Sequence, residues 1–199
     1  MESEPTAASG LSIDLSTAAL VLIDLQVGIV GRPTVPHAAG DVVARAVRLA
    51  DCFRAAAATV VLVHVGFASD GQDRPPQQVD APLPSTGQIP PNWSDLVPQL
   101  NVQPGDLTIL KHQWGAFYGT ELDLQLRRRG VRTIVLAGIA TNFGVESTAR
   151  DAWERNYNVV FVEDAMSSMA PDAHEFAVKS IFPRLGRVRS TEEVVRALR

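Results

Sequence analysis

At 199 residues, with 46% hydrophobic and 20% charged residues, the chain has the make-up of one ordinary folded domain, which excludes global disorder. A net charge of -4 and a pI near 5.5 give no general attraction to the phosphates of nucleic acid. A lone cysteine, Cys52, excludes an intrachain disulfide, and no apolar stretch nears the length needed to span a bilayer.

The start, M-E-S-E-P-T-A-A-S-G, lacks the basic and apolar segments of a signal peptide. Residues 1–16 read as a flexible tail ahead of a single domain, 17–199, in a cytoplasmic protein without membrane or nucleic-acid partners. The first β-rich run is A-A-L-V-L-I-D (18–24), followed by a helical pattern over 40–57 in which Cys52 reads as a structural thiol. A second run, T-V-V-L-V-H-V (59–65), leads into residues 66–106, which hold eight of the thirteen prolines: Pro75, Pro76, Pro82, Pro84, Pro90, Pro91, Pro98 and Pro104. So long a connection predicts a lid, a binding loop or a partner contact, with one helical turn over 92–96 and Trp93 as a contact residue.

Strand and helix then alternate: L-T-I-L (107–110), a helix over 120–130 ending in Arg127, Arg128 and Arg129, T-I-V-L-A (133–137), a helix over 144–156, V-V-F-V (159–162) and a helix over 172–182. A short sixth strand at 187–189 and a helix over 191–198, opened by the capping pattern Ser190-Thr191-Glu192-Glu193, close the chain. Nearly continuous apolar runs mean strands covered on both faces. The expected fold class is α/β, a three-layer α/β/α domain around a parallel sheet.

Parallel sheets bind ligands beyond the C-terminal ends of their strands, so the residues that end each run are the first candidates for chemistry. Asp24 ends the first run, Lys111 the third, and the turn G-I-A-T-N-F-G (138–144) follows the fourth. A carboxylate, an ammonium and a glycine-flanked helix start therefore share one sheet edge.

The segments V-L-I-D-L-Q-V-G-I, K-H-Q-W-G-A-F-Y-G-T-E-L and G-I-A-T-N-F-G-V-E-S-T-A-R-D-A, in this order, resemble the isochorismatase-like hydrolase superfamily from about residue 17 to the C-terminus. The resemblance implies a six-stranded parallel sheet in order 3-2-1-4-5-6, a small-molecule substrate and a homo-oligomer, a dimer or larger. It also implies a cis peptide between Ile139 and Ala140, with the N–H groups of Ala140 and Gly144 turned inward to bind an oxyanion or substrate. Most members of that superfamily use an Asp, a Lys and a Cys. Asp24 and Lys111 match the first two, and Gly144 stands at the nucleophile position.

Cys52 lies in another helix, and Ser147 and Thr148 are displaced by about one turn from the apex, so a surrogate nucleophile is not expected. Gln26, Gln113, Trp114, Phe117, Tyr118, Ile139, Thr141 and Asn142 are candidate pocket walls. Glu146, Arg150 and Asp151 read as helix-surface charges. His37, His64, His112 and His174 show no metal-site spacing, so no metal and no cofactor is expected, and His64 reads as a hydrogen-bonded core residue.

Glycine at the thiol position is also what isochorismatases proper carry, and their vinyl-ether substrate needs a general acid rather than a protein nucleophile. The resemblance thus implies a hydrolase of isochorismate or a related small carboxylate with Asp24 as acid. The alternative is a catalytically silent binding or assembly protein of the same fold. Burial would raise the pKa of Asp24 and Lys111 would lower it, and the sequence does not rank the two.

Overall fold

The computed structural model describes residues 10–75, 78–81 and 90–199. Six parallel strands form one sheet: β1 (Ala18–Ile23), β2 (Thr59–Val65), β3 (Leu107–Lys111), β4 (Thr133–Ile139), β5 (Asn158–Ser167) and β6 (Arg187–Arg189). Their order is β3-β2-β1-β4-β5-β6, as the resemblance implies. The order reverses between β1 and β4, whose ends pair Ile23 with Gly138, while Ile23 pairs Val63 on its other side.

Two apolar layers sandwich the sheet because successive side chains of a strand point to opposite faces. Leu20 and Leu22 of β1 pack with Val42, Ala46, Leu49 and Phe53 of helix α2 (Ala39–Ala55) and with Val194 of α7 (Thr191–Ala197). Ala19, Val21 and Ile23 face the other layer, with Leu122 and Leu126 of α3 (Leu122–Arg128), Ala149 and Ala152 of α4 (Glu146–Glu154) and Phe182 of α6 (Phe182–Leu185). All six residues of β1 are buried, which is why this strand reads as an unbroken apolar run. The remaining helices are short: α1 (Val27–Val30), which the sequence pattern did not predict, and α5 (Pro171–Phe176).

Helix α7 starts as its sequence predicts. The Ser190 hydroxyl accepts from the backbone N–H of Glu193, and the Glu193 carboxylate accepts from the backbone N–H of Ser190. Other expectations need correction. The predicted tail runs to residue 16, but Ile13 is buried, and its N–H donates to the Ala197 carbonyl beside an Ile13–Leu198 bridge, so the packed chain begins before residue 17. The rest of that tail, residues 1–9, lies outside the described residues.

The proline-rich connection is a strap over the chain that follows β1, at least from residue 90 onward. Val27 and Gly28 donate to the carbonyls of Asp95 and Trp93, and Val97 donates to that of Leu25. Trp93 is partly buried and its indole lies directly on Gly28, where a Cβ would come within 2.0 Å of the ring. This tryptophan is therefore an intrachain anchor. Pro76, Pro82 and Pro84 lie outside the described residues. Among the described residues, no helix is long and apolar enough to cross a membrane.

Candidate functional site

Asp24 is the first residue past β1, at the point where the strand order reverses. Its backbone is held in the left-handed region (φ 53°), an uncommon place for a residue with a Cβ, while its N–H donates to the Val63 carbonyl. Lys111 ends β3, two strands away, so its side chain must cross beyond the end of β2. The residue is 1% exposed, and Nζ sits 2.9 Å from Asp24 Oδ2 and 2.5 Å from the Trp114 carbonyl, to which it donates.

Asp24 is itself 6% exposed. Burial raises its pKa to about 6, against the smaller lowering by the Lys111 charge and hydrogen bond and by His64. The competition that the sequence left open is therefore won by desolvation. Among the described residues, Asp24 Oδ1 is the single buried side-chain nitrogen or oxygen with no hydrogen-bond partner. A buried carboxyl with one oxygen held by an ammonium and the other unpartnered can exchange a proton or meet a ligand.

The turn after β4 closes the third side. The Ile139–Ala140 peptide is cis. The Ala140 carbonyl accepts from the N–H groups of Phe143 and Val145 at 3.2 Å each, so the chain enters α4 through a wide turn over residues 141–145. A Cβ added to Gly144 would lie 2.9 Å from Ile23 Cγ2, 3.0 Å from Asp24 Oδ2 and 3.2 Å from Lys111 Nζ. Gly144 thus faces the charged pair directly, and a side chain there would occupy the space between backbone and carboxylate.

The other sequence candidates divide. Trp114 and Phe143 form an exposed aromatic pair, ring centroids 4.9 Å apart, attached to the site through the Trp114 carbonyl and the Phe143–Gly144 peptide. Ile139 and Thr141 are buried beside Ala140, and Asn142 accepts a hydrogen bond from Ser168. Gln26 is buried and fully engaged: its amide donates to the Val65 and Trp93 carbonyls and accepts from the Val65 N–H. Its visible work is to tie the strap to the sheet. Gln113 likewise donates to the Gly115 and Tyr118 carbonyls, Phe117 packs in the core, and Tyr118 is 77% exposed.

Thr148 donates to the Gly144 carbonyl at 2.7 Å and accepts from the Ala116 N–H at 3.1 Å, which gives this hydroxyl a structural post. Ser147 lies beside Gly115. Glu146 and Arg150 pair on the helix surface, as do Asp151 and Arg155. His64 is bonded to Ser94, as expected of a satisfied histidine, and His112 to the Gly66 carbonyl.

Two of the histidines, which show no metal-site spacing in the sequence, are brought together with an acidic residue by the fold. His37, Glu163 and His174 each offer one ligand atom within 4.8 Å of the others. Spacing hid this group because the three come from the connection after α1, from β5 and from α5. Glu163 directly follows the run V-V-F-V, so the strand-end rule that picked out Asp24 and Lys111 would also have flagged it. Burial lowers the His174 pKa, helped by the nearby His37.

An open groove of ≈ 720 Å³ lies at the opposite edge of the sheet, where Thr133 and Asn158 begin β4 and β5. Its charged lining residues, Glu154 and Arg187, are exposed, and it has no counterpart of the buried Asp24–Lys111 pair.

Known proteins share this fold. Residues 18–193 match the family described as Isochorismatase domain. The chain is 50% identical over 188 residues to the isochorismatase family protein YecD of Escherichia coli O157:H7, covering 94% of this chain and all of that one. An isochorismatase family protein from Burkholderia thailandensis superposes with a TM-score of 0.90 at 52% identity, over 95% of this chain and 98% of that one. An N-carbamoylsarcosine amidase from Thermoplasma acidophilum is more distant, with a TM-score of 0.70 at 27% identity over 88% and 97%. With its strand order and nearly its whole length accounted for in this way, the chain belongs to the isochorismatase family.

Proposed function

We propose that this protein is a hydrolase that works without a protein thiolate, with Asp24 as general acid and Lys111 as its electrostatic partner, on a small carboxylate bearing a vinyl ether. Isochorismate is the first candidate. The observation that carries this reading is the buried Asp24 carboxyl, with Oδ1 unpartnered and a pKa near 6, beside the bare backbone of Gly144.

Vinyl-ether hydrolysis needs one proton delivered to carbon. Protonated Asp24 gives its proton to the terminal enol-ether carbon, leaving an oxocarbenium ion whose positive charge the new carboxylate stabilises. Water adds to that ion and loses a proton, and the hemiketal collapses to pyruvate and the ring alcohol. With a pKa near 6, roughly a tenth of the chains carry the proton at pH 7, enough for a general acid whose strength suits that pH. Lys111 holds Oδ2 and orients the carboxyl, and its charge attracts the substrate carboxylate.

The likeness to an amidase would favour an amide substrate, but position 144 offers no side chain for covalent attack, so an amide would have to be hydrolysed by water directly. Measurement of pyruvate release from isochorismate tests the proposal. Asp24→Asn is expected to lower kcat by 10²-fold or more. Absence of pyruvate with the native chain would remove isochorismate as substrate; absence of turnover across amides and enol ethers together would leave a binding protein of this fold.

A further inference from the structure

The Asp24 chemistry makes no use of His37, Glu163 and His174, and these three are held with a care that an incidental contact would not need. The His37 backbone is fixed from several directions. The Val35 N–H donates to the Ser168 carbonyl and the Ser168 N–H to that of Val35, at 2.8 and 2.9 Å, while the hydroxyls of Thr34 and Ser167 both donate to the His37 carbonyl. His37 Nε2 then lies 3.8 Å from Glu163 Oε2.

His174 is buried, and Thr141 Oγ1 stands 2.8 Å from its Nδ1, which fixes the ring's orientation. Hydrogen bonds of this kind, behind the ring, are what metal-bound imidazoles use. An ion pair between Glu163 and one histidine would explain His37 alone. It does not account for the placing of a second, buried imidazole whose centroid is 5.9 Å from that of His37.

We propose that His37, Glu163 and His174 bind one divalent first-row transition ion, with zinc as the representative, at a site separate from the Asp24–Lys111 pair. Two nitrogens and one carboxylate suit zinc and its neighbours, whereas magnesium and calcium prefer all-oxygen sites. Zinc bonds of about 2.0–2.2 Å bring tetrahedral ligand atoms to about 3.5 Å from one another. The ligand atoms here lie within 4.8 Å of one another, so binding an ion would draw these side chains closer together. Three protein ligands leave a fourth position for water or for a substrate atom.

The site also adjoins the first one. Thr141, which orients His174, follows the Ile139–Ala140 peptide and precedes Gly144 by three residues, and Asn142 is held by Ser168, the bridge partner of Val35. An ion there would stiffen the turn that lines the Asp24 site.

The test is a calorimetric titration of the full chain, stripped with a chelator, using zinc alone, with Co²⁺ visible absorption as a report on ligand geometry. One zinc per chain is expected. His37→Ala and Glu163→Gln should weaken binding at least tenfold, and Thr141→Val about tenfold, as outer contacts of metal-bound histidines do. His112→Ala and Asp24→Asn should bind as the native chain does. Because His174 is buried, its replacement is checked by circular dichroism, and partly exposed His37 serves as the variant that leaves the core untouched. No zinc bound by the native chain, or equal binding by His37→Ala, would overturn the proposal. Loss of binding in Asp24→Asn would overturn the separateness of the two sites without touching the hydrolase reading.

Discussion

Asp24 and Lys111 are the residues on which the chemistry turns, and their coupling makes a signed prediction. If the acid form of Asp24 does the work, kcat/KM is high at low pH and falls tenfold per unit as pH rises through about 6. The Lys111 ammonium lowers the Asp24 pKa, so Lys111→Met removes that effect and should move the falling limb to higher pH, whatever it does to the maximum. A pH–rate profile of both proteins checks this; a limb that stays in place or moves down would show that Asp24 is not the titrating acid.

Gly144 gives a second residue-level outcome. In Gly144→Cys the thiol would emerge beside Asp24 Oδ2 and Lys111 Nζ, and the nearby ammonium should favour thiolate. Iodoacetamide is expected to label residue 144 ahead of Cys52, as peptide mass spectrometry would show. Labelling confined to Cys52 would mean that position 144 does not open on the charged pair.

At the scale of elements, the site depends on how closely β1 and β4 approach. Gly138 has φ 127°, a backbone region that L side chains avoid, and a Cβ there would fall 2.1 Å from the Ile23 carbonyl oxygen and 2.6 Å from the Ile23 nitrogen. Neither obstacle is a side chain that can swing away. Gly138→Ala should therefore cost about 3 kcal/mol or more of stability by denaturant unfolding, while an exposed glycine such as Gly105, with open space around it, should tolerate alanine with little change.

The same elements show what the sequence could and could not convey. Strands β1 to β4 and helices α2, α3, α4 and α7 were legible, because continuous apolar runs and helical periodicity record burial on two faces. Asp24 and Lys111 were legible because each sits where a run ends, and Gly144 through the resemblance carried by the turn after β4. The extension of β5 to Ser167 was not: its register against β4 shifts between Leu136 and Gly138, and Glu163 and Asp164 interrupt the apolar pattern. The roles of Gln26 and Trp93 were hidden for a different reason. Their partners, Val65 and Gly28, are 39 and 65 residues away, and only the folded strap brings them together.

For the whole molecule, a homo-oligomer is the expected state, in keeping with the aromatic and apolar side chains left on the surface: Trp114, Tyr118, Phe143, Trp153, Met169 and Phe176. Sedimentation should give a mass at least twice the 21.4 kDa of one chain. A monomer at micromolar concentration would remove this expectation and leave those side chains to a different partner or to the substrate.

The claim that matters most is that hydrolysis proceeds through Asp24 and without a thiolate. Pyruvate release from isochorismate, followed before and after complete alkylation of Cys52 and again in Asp24→Asn, tests it most directly. Full activity after alkylation together with a loss of 10²-fold or more in Asp24→Asn is the predicted result. Activity abolished by alkylation, or retained at the native level in Asp24→Asn, would contradict it.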